Sequence, residues 1–310
     1  VNGQVVLAPV VYLSPKTKSN ITQGAVITAE TANLSLTSLT NTGGTIAGSQ
    51  SLKVTSVGDV VNTSGTIKGG NVAITSTQGS IVNQTTASGS GNELRYVTDI
   101  GKTASIQSTG TLALDAAKDI TNTGSSMAAG GDASLKAGGN VTFDTIQDKS
   151  VDTTHSTFKQ GGATGMTTTT TTTVTQVKSG LSSGGNLSID AGKDITLAGT
   201  NTRAAGNADL KAGGDLNMLA RENTTDIHSE SKASGFGMNG SLYGSTTVTT
   251  DSTSVRNVGS TLQVGGNASL AAGNDITVQG SSVDVKGSGT VSATNVNVLA
   301  GRNYDETTTT

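Results

Sequence analysis

The residues best equipped for chemistry in this chain are two histidines, His155 and His228, and a recurring aspartate, Asp119, Asp194 and Asp275. A metal centre needs several ligands that converge. Each histidine lacks a second His, a Cys or a clustered carboxylate at ligand spacing. Both lie in similar Thr/Ser-rich settings, "DTTHSTFKQ" and "TDIHSESKA", so their recurrence follows from a longer repeated unit and points to a structural or surface role. The aspartates open "KDIT" or "NDIT", at the start of a strand after a turn. Stacked one per turn, they would imitate the acidic cluster of a polysaccharide-cleaving β-helix. Such an enzyme is expected to add basic residues and sugar-stacking aromatics to its acid and base. Four Tyr, three Phe and no Trp in 310 residues argue against it.

Other chemistries lack their residues as well. Zero cysteines exclude disulfides and thiol catalysis. The sequence shows no phosphate loop, no Ser-centred nucleophile elbow, and no calcium-binding glycine–aspartate nonapeptide, since "GGDAS" and "GGNLS" lack its second beat. An ice-binding solenoid needs Thr ranks on successive coils, whereas the run at 167–173 lies in an excursion from them. The reading is a non-enzyme with no catalytic, cofactor-binding or metal residues and no cofactor.

The elements that carry these residues are built from an unusual mixture. Aromatics are 2%, charged residues 13%, Gly 42 and Pro 2, while Val, Ile, Leu and Ala are plentiful. That balance fits neither a conventional globular core nor strongly charged disorder. A net charge of −3 without a long basic run argues against nucleic acid or an anionic membrane surface as partner. No apolar window reaches membrane-spanning length. The opening residues carry no basic leader and the chain stops in "DETTTT", so it reads as a piece of a longer protein.

The chain repeats itself. "GNLSIDAGKDITLAGT" from Gly185 has counterparts beginning at Gly110, Gly131, Gly206 and Gly266, with looser copies before them and a last one from Gly289. Leu112 and Ala133 stand 21 residues apart, as do Leu187 and Ala208; Leu52 and Val72 stand 20 apart. Each unit reads as strand, Gly-rich turn, strand, turn, with alternation on both strands. A period of roughly 20 with fixed register predicts one coil of a β-solenoid per repeat. One coil buries too few small side chains to offset the entropy of ordering it, so each must rest on its neighbours. Asn41, Asn62, Asn83 and Asn122 are candidates for a stacked amide ladder, and the sequence leaves open whether they turn inward.

The pattern breaks at 144–184 and 220–265, both Thr- and Ser-rich. In the two breaks His155 aligns with His228 and Lys159 with Lys232, and "GRNYDETTTT" stands where a third would begin. Thr is a strong strand former, so each break reads as a long β-hairpin, projecting or lying along the flank, with a flexible low-complexity loop as the alternative. A contact surface for a partner or membrane is the functional form of that expectation.

With "GGNLSIDAGKDITLAGT" and its copies in view, the chain over roughly residues 21–310 resembles the haemagglutinin repeats of bacterial two-partner secretion exoproteins, among them filamentous haemagglutinin and the contact-dependent growth inhibition toxins. The breaks after "GGDLNMLARENTTDIHSES" resemble the second repeat region of the growth-inhibition proteins, and "VVLAPVVYLSP" resembles the segment before it. The resemblance implies an all-β, right-handed parallel β-helix over residues 1–310, with residues 1–20 as lead-in. It also implies secretion to the bacterial cell surface through an outer-membrane partner transporter, a stage in the periplasm, and a toxin domain downstream. The second repeat region is expected to engage the target cell's outer membrane. The family's secretion domain, "NPN" and "VENN" signatures and toxin are absent from these residues. The alternative is the shaft of a filamentous adhesin, and a toxin behind "VENN" in the parent chain would decide between them.

Overall fold

A computed structural model describes residues 24–310 apart from Glu93, Gly161 and Ser241. The lead-in at 1–20 lies outside the described residues. In a strand, successive side chains face opposite ways. Within Leu187–Ala191, accordingly, Leu187, Ile189 and Ala191 are buried while Ser188 and Asp190 are half-exposed. This strand pairs in parallel with its copy one coil on, Leu187 opposite Ala208 and Ile189 opposite Leu210. Its other edge pairs with the preceding copy, Ile189 opposite Leu135. The same register holds along the molecule and builds a right-handed parallel β-helix, the hand that parallel crossovers adopt.

Each coil contributes one strand to a nine-stranded sheet, so nine coils are stacked among the described residues. A coil has three sides rather than the two strands legible in the sequence. The additional side, which comes first in each coil, is a short strand such as Ser105–Ser108, Ser126–Ala129 or Thr261–Val264. Its contribution to the core is chiefly one column of large side chains: Ile46, Ile67, Ile106, Met127, Leu181 and Leu262 are all buried. One apolar cluster runs through the stack from Ala32 to Ile276. Phe143 is the sole Phe among the core residues.

The asparagines do turn inward. Asn62, Asn83 and Asn122 are 0% exposed. Each Nδ2 donates to the Oδ1 one coil on: Asn41 to Asn62 at 2.7 Å, Asn62 to Asn83 at 2.7 Å and Asn83 to Asn122 at 2.8 Å. The second amide hydrogen secures the corner, as Asn62 does to the Gly65 carbonyl at 3.0 Å. A buried amide is tolerated only when its groups are paired, and this ladder pairs them by repetition. Beyond Asn122 the column becomes apolar, continuing as Phe143, Leu197 and Met218.

The corner at the end of each coil decides where the chain goes. Gly43, Ser64, Gly124, Gly199 and Gly280 occupy that corner with φ between +48° and +66°, and after each of them the next coil begins. At the equivalent positions Thr85, Thr145, Ala220 and Ala300, the chain leaves the solenoid. A β-branched residue or alanine resists the left-handed region, so the strand direction continues outward.

The departures form a second sheet. A short hairpin (Ala87–Gly91 and Arg95–Ile100), two long ones (Ile146–Gln160 with Ala163–Val177, and Arg221–Phe236 with Tyr243–Val258) and the strand Tyr304–Thr309 pair side by side. All seven strands run antiparallel. The short hairpin was not legible in the sequence. Residues Ser179–Ser183 and Thr261–Val264, at the ends of the two breaks, belong to the coil as its first side.

Among the described residues one buried polar atom breaks the pattern: Thr202 Oγ1, in the Leu181–Leu262 column, has no hydrogen-bond partner. Replacing it with the isosteric valine should therefore raise stability by about 1 kcal/mol, whereas Asn83→Ala, which breaks the ladder, should lower it by about 1–3 kcal/mol. Shifts of opposite sign in the thermal unfolding midpoint would bear this out.

Candidate functional site

Asp119, Asp194 and Asp275 are corner caps. Asp119 Oδ1 accepts the Asn140 amide at 2.7 Å, and Asp194 Oδ1 accepts the Asp215 amide at 2.8 Å. Asp275 Oδ1 accepts from Asn295 Nδ2 at 2.7 Å. The column passes through Ser80 and Asn140 in the same way, each side-chain oxygen taking the amide of the next coil's counterpart. A short acceptor at this position satisfies a backbone donor where the chain bends away from the ladder. The acidic stack is thus a seam between coils.

The histidines lie on the lateral sheet and on one face of it. His155 Nδ1 is 3.0 Å from Thr168 Oγ1, and His228 Nδ1 is 2.6 Å from Asp251 Oδ1. Their alignment in the sequence does not survive the register. His155 is opposite Thr168, which is opposite Glu230, while His228 shares its row with Thr170 and Asp251. Similarity of the two breaks matches residues by type, whereas the sheet counts them from the root. Among the described residues, no group of three metal-ligating side chains converges.

The lateral sheet is the feature with the surface to do something. Its long strands of 15–16 residues reach roughly 50 Å at about 3.4 Å per residue. Most side chains on both faces are exposed or half-exposed, so the sheet projects as a fin. Threonine suits this setting, since its branched β-carbon favours extended backbone while its hydroxyl stays polar on either face. Cross-strand hydroxyl pairs form, as Thr153 with Thr170 at 3.0 Å, Thr167 with Ser231 at 3.1 Å and Thr169 with Ser229 at 3.2 Å.

A strand with seven consecutive threonines, 167–173, cannot choose its own register. Its ends choose it. At the root, Thr145 Oγ1 donates to Gln176 Oε1 at 2.6 Å, and Gln176 Nε2 donates to the Glu222 carbonyl at 3.1 Å. Arg221 reaches across from the second hairpin to Asp144 at the root of the first, Nε to Oδ1 at 2.8 Å and Nη2 to Oδ2 at 2.5 Å. That pairing raises the Arg221 pKa against the opposing effect of partial burial. Burial alone lowers the pKa of Lys178, whose Nζ donates to the Gly259 carbonyl at 2.7 Å. At the far end the Phe158 ring lies over Gly165, where any β-carbon would collide with it.

The tips carry what the coils lack. Of the aromatic residues described, only Phe143 is in the solenoid; Tyr96, Phe158, Phe236, Tyr243 and Tyr304 are on the lateral sheet. Around the second tip Phe236 is 71% exposed, Leu242 86% and Tyr243 60%. The two rings meet edge to face with centroids 5.4 Å apart. At the first tip Phe158 and Met166 are exposed. Phe158, Phe236, Leu242 and Tyr243 were not singled out from the sequence. The signal was the placement of three of the seven aromatics, Phe158, Phe236 and Tyr243, inside the two breaks.

Because the root ion pair is only partly exposed, Arg221→Met should loosen the seam between the hairpins by about 1 kcal/mol. Amide exchange across residues 224–235 should then quicken while the coil strands keep their protection.

Comparison with known proteins places this geometry. A family model described as "Hemagglutinin repeat" matches residues 62–162, 160–249 and 241–310, successive matches meeting near the tips of the two long hairpins. Two curated proteins are similar, both named "tRNA nuclease CdiA". That of Escherichia coli (strain STEC_O31) is 28% identical over 260 residues, 75% of this chain and 8% of the relative. That of Escherichia coli O6:K15:H31 (strain 536 / UPEC) is 27% identical over 171 residues, 46% of this chain and 5% of the relative. The chain therefore spans less than a tenth of these relatives. No solved structure gives a significant match. The repeat matches together cover residues 62–310, and the chain belongs to the haemagglutinin-repeat family, as a repeat region of a CdiA-like two-partner secretion exoprotein.

Proposed function

We propose that this segment works by engaging the outer membrane of a target cell during toxin delivery in contact-dependent growth inhibition, with the fin tips as its lipid contact. The observation that carries the reading is the exposed group Phe236, Leu242 and Tyr243 on one tip, with Phe158 and Met166 on the tip before it. Exposed aromatic and aliphatic residues at the end of a polar sheet fit a boundary between water and lipid, where rings with an apolar body and a polar end collect. The CdiA relatives support the growth-inhibition context, and "tRNA nuclease" describes those proteins, of which this chain matches a small repeat-bearing part. On this reading the segment itself is not an enzyme and uses no cofactor. The parent chain is secreted through an outer-membrane transporter, passes through a periplasmic stage, and carries its toxin further on. The competing role is an adhesin shaft, in which the coils set length and receptor binding lies elsewhere.

The fin and the solenoid have different parts here. Coils fix the spacing of the tips, while the Thr-rich strands hold them away from the body on hydrated polar surface. Purified protein should float with vesicles of outer-membrane lipids, and replacing Phe236, Leu242 and Tyr243 together with serine should reduce the bound fraction at least several-fold. Those side chains are exposed, so the circular dichroism spectrum should not change. Equal flotation by the triple variant would remove the membrane reading and leave the shaft.

A further inference from the structure

The two lysines that recur in the breaks, Lys159 and Lys232, take no part in the roots or the coils. The register puts both on one face of the fin. Lys159 is opposite Thr164, while Lys232 is opposite Met166, which is itself opposite Thr157 on the strand of Lys159. Residues directly opposite share a face, and so do alternate residues along a strand. Lys159, Met166 and Lys232 therefore lie together, and Phe236, paired with Tyr243, stands further out on the same face.

Charge is sorted along the fin. Residues 156–167 and 231–249, the outer parts of the two long hairpins, hold no acidic residue and no basic one besides these lysines. The acids begin behind them, with Glu230 first and then Asp251, opposite His228, and Asp226. At about 3.4 Å per residue, Asp251 and Asp226 stand roughly 14–20 Å behind Lys232. Exposed charges further apart than a screening length of about 8 Å hardly act on one another. A surface at the tips thus meets cations, although the whole chain is net −3. Only Glu230 is near: it pairs with Lys232 Nζ at 2.9 Å, with the side chains 36% and 59% exposed. A pair so open to water contributes little and gives way to a stronger partner. Among the described residues Lys159 has no ion-pair partner.

We propose that Lys159 and Lys232 select a lipid surface by its anionic phosphate headgroups, so that the apolar tips seat where that charge is present. This rests on the membrane reading and adds the class of lipid to it. Lys232 stands about 14 Å behind Phe236 along the strand. An extended lysine stem covers part of that distance, and the headgroup layer of one leaflet is about 5–8 Å deep. The ammonium then reaches the phosphates while the Phe236 ring meets the hydrocarbon boundary, with the lysine stem on apolar surface. Exposed Met166, opposite Lys232, supplies such surface. Inorganic phosphate offers the same charge but nothing for Phe236 or Met166 to enter, so the arrangement suits a lipid.

Flotation of the full chain with vesicles of phosphatidylcholine, alone or with phosphatidylglycerol added, tests this. The protein should partition at least several-fold more strongly onto the phosphatidylglycerol vesicles, and high salt should shrink the difference. A lysine at an anionic surface contributes about fivefold, so Lys159→Gln with Lys232→Gln should cut that binding about 20-fold. Binding to phosphatidylcholine alone should stay as it was, and so should the circular dichroism spectrum, since both lysines are exposed. Glu230→Gln frees Lys232 and should strengthen binding to phosphatidylglycerol. Inorganic phosphate should release no more protein than chloride at equal ionic strength. Equal partitioning onto both vesicles, full binding by the double lysine variant, or no gain from Glu230→Gln would each overturn the headgroup proposal and leave the membrane reading standing. Release by phosphate beyond the chloride control would assign the lysines to the free ion and overturn it likewise. Absence of binding to either vesicle would overturn both.

Discussion

The architecture depends on one equality of length. Parallel coils in a β-helix stack at the spacing of neighbouring strands, about 4.8 Å, and antiparallel strands in the fin have that same spacing. A hairpin supplies two strands, so it occupies the height of two coils. The hairpins leave after alternate coils, at Thr85, Thr145, Ala220 and Ala300, with Gly124, Gly199 and Gly280 turning the coils between them. Two ladders of opposite polarity can then grow along one axis without gap or collision. The repeated unit of two coils and a hairpin is set by this match.

Repetition also accounts for how polar groups are handled. A group repeated at every layer finds its partner in its own copy above or below, as the asparagine ladder and the aspartate caps do. Charges obey the same rule on the second side, where Asp115, Lys136, Asp190 and Lys211 occupy one row on four successive coils with alternating sign. Like charges stacked at that spacing repel, and alternation avoids it on this side, whereas in the cap column Asp194 and Asp215 each direct Oδ1 to the backbone amide of the next aspartate. In the fin the rule relaxes, because a Thr strand looks the same after a slip. The Asp144–Arg221 pair and the Gln176 contacts therefore define its register from the root.

The solenoid was legible in the sequence because alternation and period point to the same structure. Leu187, Ile189, Ile195 and Leu197 each have copies at fixed offsets, and the copies stack as expected. The first side of each coil was hidden: a stretch such as "SIQS" or "SMAA" carries one large buried residue among small ones and reads as a turn. The short hairpin was hidden for a related reason, since "ASGSGNELRYVTDI" lacks the Thr run that marked the longer ones. The corner rule was present in single residues, Gly or Ser against Thr or Ala, but it acquires meaning only once the exits are located. The tips were least legible. Phe236 and Tyr243 are seven residues apart in sequence, and only the hairpin register brings their rings together.

The most direct test of the shared spacing is to delete one coil between the long hairpins. Residues 179–199 can be removed in register, because Ser179 and Thr200 are partners on successive coils. The solenoid should still fold, since its ladder closes over the gap. The second hairpin would drop by one coil height and need space already taken by the strand Ala163–Val177, so the twelve pairs joining the hairpins, from Ala163–Gly235 to Val174–Thr224, should be lost. Hydrogen exchange should show protected coil strands with rapidly exchanging amides at Thr168, Thr170 and Thr172, the ones in the threonine run that face the second hairpin. Full protection of those amides in the shortened protein would contradict the match between coil and hairpin heights.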